Sequence, residues 1–168
     1  MKWIDMKGPV IANTIYSDSQ LVAKDTTIAL PSITPVTADF KAMGTMSLPV
    51  IGQIESMEMS ITKIGIDQGL GRLARLQVMN IEARWVQDVI QADGSTKLEG
   101  CKAFLRGVSK TIPGLSIEPG SNSENDLTHE IIRYQLFAGG EELWLVDRLS
   151  QILRILGKDY YKEIASLL

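Results

Sequence analysis

The strongest constraint on this chain is alternation of apolar and polar residues with a period of two. Between Ile54 and Lys63, Met57, Met59 and Ile61 fall on one side, and Ser56, Glu58, Ser60 and Thr62 on the other. A strand sends successive side chains to opposite faces. The segment therefore reads as a strand with one dry face and one acidic, hydroxyl-rich wet face. A helix, with its period near 3.6, would mix the two sets around its circumference. The same alternation recurs in Val78 to Ile90, where Met79, Ile81, Ala83 and Trp85 share a face, and in its expected partner, Lys97 to Lys110. Asp93-Gly94 marks the turn between them. A two-residue turn would set Trp85 opposite Lys102 and Ile81 opposite Arg106. A three-residue loop, Ala92 to Gly94, sets Trp85 by Cys101, Ala83 by Ala103 and Ile81 by Leu105. The second register gathers one apolar face and gives Gly94 the left-handed position of a bulge, so it is the one expected.

The remaining segments follow from turn and breaker residues. Thr27 to Phe40 is rich in β-branched residues but interrupted by Pro31 and Pro35, which belong at an edge, a bulge or a bend. Ala42-Met43-Gly44-Thr45 turns the chain, and Met46 to Ile51 returns extended, so 27–63 reads as a long β-ribbon with an irregular tip. Residues 1–26 form an N-terminal arm. Asp67 to Gln77 reads as a short helix with Asp67 as N-cap and Leu70, Leu73 and Leu76 as its apolar stripe. Gly69 and Gly71 each weaken it by about 1 kcal/mol relative to alanine. Residues 78–147 are sheet hairpins interrupted by a Pro- and Gly-rich loop over 111–126. Leu127 to Ala138 and Glu141 to Asp147 pair around Gly139-Gly140, with Leu136 expected opposite Leu143 and Tyr134 opposite Leu145. In the C-terminal segment, 148–168, Leu149, Ile152, Leu153 and Leu156 fit a helix, and Ile152 to Leu156 equally fits a strand. Gly157 stops either, and Asp159 can cap a last helix.

A length of 168 residues suits one domain with a real core. No apolar run approaches the roughly 18 residues of a membrane span, and Met1 to Lys7 lacks the apolar stretch of a signal peptide. A net charge of -3 does not suit a protein that grips nucleic acid by its phosphates. The single cysteine, Cys101, has no internal disulfide partner and fits a reducing compartment. His129 is the one histidine, and a Cys101–His129 pair would need both an orienting group and proximity. A buried thiol and a sheet-face histidine are the simpler reading. Metal-site patterns are absent, Glu55 and Glu58 alternate to opposite faces, and Gly69-x-Gly71 does not continue into a dinucleotide fingerprint. No catalytic residue, metal site or cofactor is expected. The wet face of Ile54 to Lys63 fits both an ordinary solvent-exposed sheet and the lining of an aqueous channel.

Several phrases, in order, resemble the FII-type major tail tube proteins of contractile-tailed bacteriophages and phage-tail-like bacteriocins. They are Asn13-Thr-Ile-Tyr16-Ser-Asp18, Thr27-Ile-Ala-Leu-Pro31-Ser-Ile33, Gly44-Thr-Met-Ser-Leu-Pro49-Val50 and Glu55-Ser-Met-Glu-Met59. Farther on come Ala103-Phe-Leu-Arg-Gly107 with Lys110 and Pro113-Gly114, then Arg133-Tyr-Gln-Leu136 through Glu141 to Asp147, and last Ile152 to Tyr160. The resemblance spans nearly the whole chain. It implies a mainly β fold: a β-sandwich or partial barrel with a long β-ribbon, one short flanking helix and a short C-terminal helix. It implies hexameric rings, joined edge to edge into a continuous β-barrel and stacked into a hollow tube without enzymatic activity. It implies as partners a sheath protein, a tape measure protein, baseplate and tail terminator proteins, and DNA passing transiently through the lumen, but no membrane. The location implied is the virion tail, after synthesis in the host cytoplasm. Carried over by position, Ser56, Glu58, Ser60 and Thr62 would face the lumen, where a negative wall lets DNA slide. Residues 37–48, and Lys41, Ala42, Met43, Gly44, Thr45 and Met46 in particular, would reach the next ring. At this tip the chain departs from the family, which often carries an Arg and a Gly-Gly there. The resemblance also makes Gln151 to Leu156 extended and only about 159–167 helical. The rival readings are a tube of a DNA-free bacteriocin or secretion apparatus, and a monomeric β-barrel binding module.

Overall fold

Strand pairing organises the molecule, and a computed structural model describes residues 4–168. The first three residues of the expected arm lie outside the described residues. In chain order the elements are β1 (Met6–Ser17), β2 (Gln20–Lys24), β3 (Thr27–Ala29), β4 (Pro35–Lys41), β5 (Thr45–Ile54), β6 (Glu58–Ile64), α1 (Gln68–Leu73), β7 (Val78–Ile90), β8 (Thr96–Ser109), β9 (Glu124–Ala138), β10 (Glu141–Asp147), β11 (Ile152–Ile155), β12 (Lys158–Asp159) and α2 (Lys162–Ala165). The fold is mainly β, with two short helices. The large antiparallel sheet runs β12-β11-β10-β9-β8-β7-β1-β2, with β6 added to the first half of β9 and β3 added to β6. β2 and β3 follow each other across Asp25-Thr26 but pair with β1 and β6 respectively, so the ladder curls without closing into a barrel. Within the curl lie Ile15, Met57, Met59, Ile61, Met79, Ile81, Ala83, Ala103, Leu105, Leu127, Ile131 and Tyr134, all buried. These include the dry-face residues expected from alternation in 54–63 and 78–90 except Trp85, which is half-buried against the core.

The β7–β8 hairpin has the expected register: Ile81 pairs with Leu105, Ala83 with Ala103 and Trp85 with Cys101. Gly94 takes φ +84°, the left-handed conformation the three-residue loop demands. The β9–β10 turn is also as expected, with Gly139 and Gly140 both at positive φ, but the register beyond it is not. A bulge at Leu143 shifts the pairing by one residue, so Leu136 faces Trp144 and Tyr134 faces Val146.

The N-terminal arm is a hairpin of the main sheet, turned by Asp18 and Ser19 at φ 47° and 67°. The 27–63 ribbon is divided. Only β4 and β5 form a free two-stranded ribbon, and β3 and β6 lie in the main sheet. Pro31 falls in the break and Pro35 opens β4, a position where no ladder donor is needed. α1 is shorter than 67–77. Asp67 does cap it, accepting the Leu70 N–H at 3.0 Å, but the helix ends at Leu73 and Leu76 is exposed. Lys63, buried beneath, donates to Asp67 at 2.9 Å. That hydrogen bond is the largest of the influences holding the Asp67 carboxyl below its usual range. β9 begins at Glu124, inside the expected loop. At the C-terminus Ile152–Ile155 is extended, as the resemblance implied. Leu156 and Gly157 then turn the chain into β12, and the last helix covers only Lys162–Ala165. Asp159 does not cap that helix. Its carboxylate accepts the Tyr161 N–H at 3.0 Å in a local turn.

Candidate assembly surfaces

The β4–β5 ribbon divides cleanly by face. Directly opposed residues in an antiparallel pair share a side of the sheet. Phe40 opposes Met46 and Ala38 opposes Leu48, giving an apolar face; Lys41 opposes Thr45 and Asp39 opposes Ser47, giving a polar one. Phe40, Met46 and Leu48 are exposed. The tip is Ala42-Met43-Gly44, closed by the Ala42 N–H donating to the Gly44 carbonyl at 2.8 Å, with Met43 at φ 51° and its side chain fully exposed. The ribbon thus brings Lys41, Ala42, Met43, Gly44, Thr45 and Met46 together at its outer end. Phe40 and Leu48 lie within the expected 37–48 reach but were not singled out with the six tip residues, although the alternation of Ala38 and Phe40 with Asp39 and Lys41 was the available signal.

The wet face of β6 continues across β9. Glu58 opposes Glu130, Ser60 opposes Thr128 and Thr62 opposes Asp126. Two carboxylates directly opposed repel, and neighbouring groups compensate. The Lys110 ammonium donates to Glu58 at 2.7 Å and lies 3.7 Å from Glu130. The hydrogen bond to Glu58 is the main reason the Lys110 ammonium is held above its usual range. The Ser56 hydroxyl donates to both Glu130 oxygens at 2.7 and 2.8 Å, Arg148 approaches Glu130 at 3.7 Å, and the Thr62 hydroxyl donates to Asp126 at 2.7 Å. Ser56, Glu58, Ser60 and Thr62 therefore share one surface. Its three carboxylates, Glu58, Asp126 and Glu130, are partly offset by two cations, Lys110 and Arg148. Four of these residues are invisible to a reading confined to β6, because the cross-strand register is what brings them in.

The two groups considered for nucleophilic chemistry are apart. Cys101 pairs with Ala138 and His129 with Ser109. They stand eight β8 positions from each other, about 26 Å at the usual rise per residue. Burial is the main cause pushing the Cys101 thiol up, away from the reactive thiolate. His129 is buried, with Nε2 2.8 Å from the Leu73 carbonyl, and burial pushes its pKa down. Cys101 and His129 therefore form no catalytic pair, and each is a packed group of the sheet.

A family profile described as phage tail tube protein FII matches residues 10–168. No curated protein matches the chain. Among solved structures, it is similar to a chain from the sheath–tube complex of an extracellular contractile injection system, PVC, in the extended state. The TM-score is 0.53 at 12% identity, covering 78% of this chain and 91% of that one.

Proposed function

The chain belongs to the phage tail tube protein FII family, and from that premise we propose that it is the tube subunit of a contractile tail, acting by self-assembly and not by catalysis. Its copies form hexameric rings that stack into a hollow tube inside a sheath. A tape measure protein fills the lumen during assembly, baseplate and terminator proteins close the ends, and DNA passes through without being gripped. The subunit is made in the host cytoplasm and works in the virion tail.

The uncovered apolar face of the β4–β5 ribbon carries this reading. Phe40, Met46 and Leu48 stay about half exposed in the monomer, and burying the remainder of each would stabilise by about 1 kcal/mol. A two-stranded ribbon is marginal by itself and gains its support by docking on another ring through Lys41 to Met46 and the apolar strip behind them. The surface of Ser56, Glu58, Ser60 and Thr62 then lines the lumen. Glu58 and Glu130 are tethered by Lys110 and Arg148 and Asp126 only by the Thr62 hydroxyl, so the wall is mildly negative.

Electron microscopy of the purified chain tests this. Rings or tubes are expected from the wild type. A Phe40→Ser/Met46→Ser variant is expected to stay monomeric with unchanged circular dichroism. A wild-type chain that remains monomeric at high concentration would sink the tube reading in favour of a β-rich binding module.

The fold likeness to a chain of an injection particle favours a second reading, a tube that conducts no genome. Nuclease-treated particles holding no protected DNA would select it.

A further inference from the structure

Two exposed surfaces of the monomer have matching chemistries. On the outward side of β8 and β9, Arg106 stands directly across the ladder from Arg133. Like charges so placed are destabilising unless an anion joins them. The Arg106 Nε donates to the Asn80 side chain at 3.3 Å, and the Arg133 Nε lies 3.7 Å from the Asp147 carboxylate. Beside the two guanidinium groups, Phe104 and Phe137 pack edge to face with centroids 5.8 Å apart, both half-exposed. Grooves of about 370 and 250 Å³ adjoin these rings. Glu82 borders the larger groove but is engaged by Arg84.

The second surface is the β8–β9 connection, largely exposed from Ile112 to Asn122. Ile112, Leu115 and Ile117 are 70%, 44% and 81% exposed. Glu118, next to Ile117, is exposed and makes no ion pair among the described residues.

We infer that this connection in one copy seats in the Phe104–Phe137 groove of a neighbouring copy, with Ile117 on the rings and Glu118 between Arg106 and Arg133. The occupant comes from a second copy because, within one chain, the connection must rejoin the sheet at Glu124, eleven β9 residues and about 36 Å before Gln135, the partner of Phe104. The seven residues from Ile117 to Glu124 span at most about 25 Å. A contact between two different patches is heterologous, the kind that closes rings or extends tubes. The inference rests on the self-assembly proposed above and names one of its contacts.

A charge swap tests it. Arg106→Glu, Glu118→Arg and the double variant are compared with the wild type by sedimentation and electron microscopy. Arg106→Glu places a carboxylate across from Arg133, so the monomer gains an ion pair and lost assembly cannot be blamed on lost folding. Each single variant is expected to need about tenfold or more higher concentration to assemble, and the double variant to recover to within about twofold. Single variants that assemble like the wild type, or a double variant no better than the singles, overturn this contact alone; single variants that still form tubes but lose an external acidic protein would reassign the groove to that partner. A wild-type chain that never assembles overturns the tube reading and this contact together.

Discussion

His129 is fully buried on β9, with its Nε2 2.8 Å from the carbonyl oxygen of Leu73 at the end of α1. A ring nitrogen beside a carbonyl must donate, so the neutral tautomer carries its proton on Nε2. The other nitrogen, Nδ1, has no partner. A bare lone pair there is tolerable, whereas a second proton would bring an unpaired donor and a charge into the core. Burial accordingly lowers the folded-state pKa below 6.5. The unfolded chain takes up the proton first, so stability is intact above about pH 6.5 and falls as the pH drops below it, by at most about 1.4 kcal/mol per pH unit. Urea unfolding at pH 7.5 and 5.5 should show a loss in the wild type that shrinks in a His129→Phe variant. Equal losses in both proteins would place the acid sensitivity elsewhere. The two helical glycines make a second residue-level contrast. A Cβ at Gly69 would sit 2.2 Å from the Val22 carbonyl oxygen, whereas one at Gly71 meets nothing within 4 Å. Gly69→Ala should therefore destabilise by at least about 2 kcal/mol, because backbone must move. Gly71→Ala should stabilise by about 0.5–1 kcal/mol. Thermal melts of the two variants should shift in opposite directions.

Among the elements, the base of the ribbon and the C-terminal segment are mechanically joined. β5 carries extra residues around Gly52, which adopts φ +92°, and a Cβ there would lie 2.5 Å from the Tyr161 ring. Tyr161 thus rests on a surface that only glycine leaves open. Gly52→Ala should push the ring aside and raise hydrogen exchange across 158–168 while sparing β7 and β8. Uniform exchange in the variant and the wild type would refute the coupling. The elements also differ in how far sequence revealed them. The β7–β8 register was legible because Asp93-Gly94 fixed the turn and only one pairing gathered the apolar residues. The N-terminal hairpin was not, because its turn uses Asp18 and Ser19 in a conformation more typical of glycine, and Val10-Ile11-Ala12 breaks the alternation of β1. The β9–β10 register failed at the Leu143 bulge, an insertion that leaves no compositional mark. Of the candidate surface, the shared face of Ser56, Glu58, Ser60 and Thr62 was legible along one strand. Lys110, Asp126, Glu130 and Arg148 become neighbours only when distant segments pair.

Over the whole molecule, the curled sheet buries a continuous core yet leaves its ladder open and its ribbon bare. On the self-assembly proposed above, the apolar surface exposed at Phe40, Met43, Met46 and Leu48 is covered only when copies dock, so the assembly adds to the stability that the core supplies. Anything that binds the folded state and not the unfolded one stabilises it by mass action, and here the ligand is another copy. The melting temperature of the wild type should therefore climb with protein concentration across the range in which rings form. The Phe40→Ser/Met46→Ser variant, which keeps the core and loses the docking face, should melt at one temperature regardless of concentration. That temperature should lie only slightly below the wild type at its most dilute, because the substituted side chains are already about half exposed. A variant that melts well below the dilute wild type would mean the ribbon supports the monomer itself. A wild type with no concentration dependence would mean the exposed face has no copy to dock on.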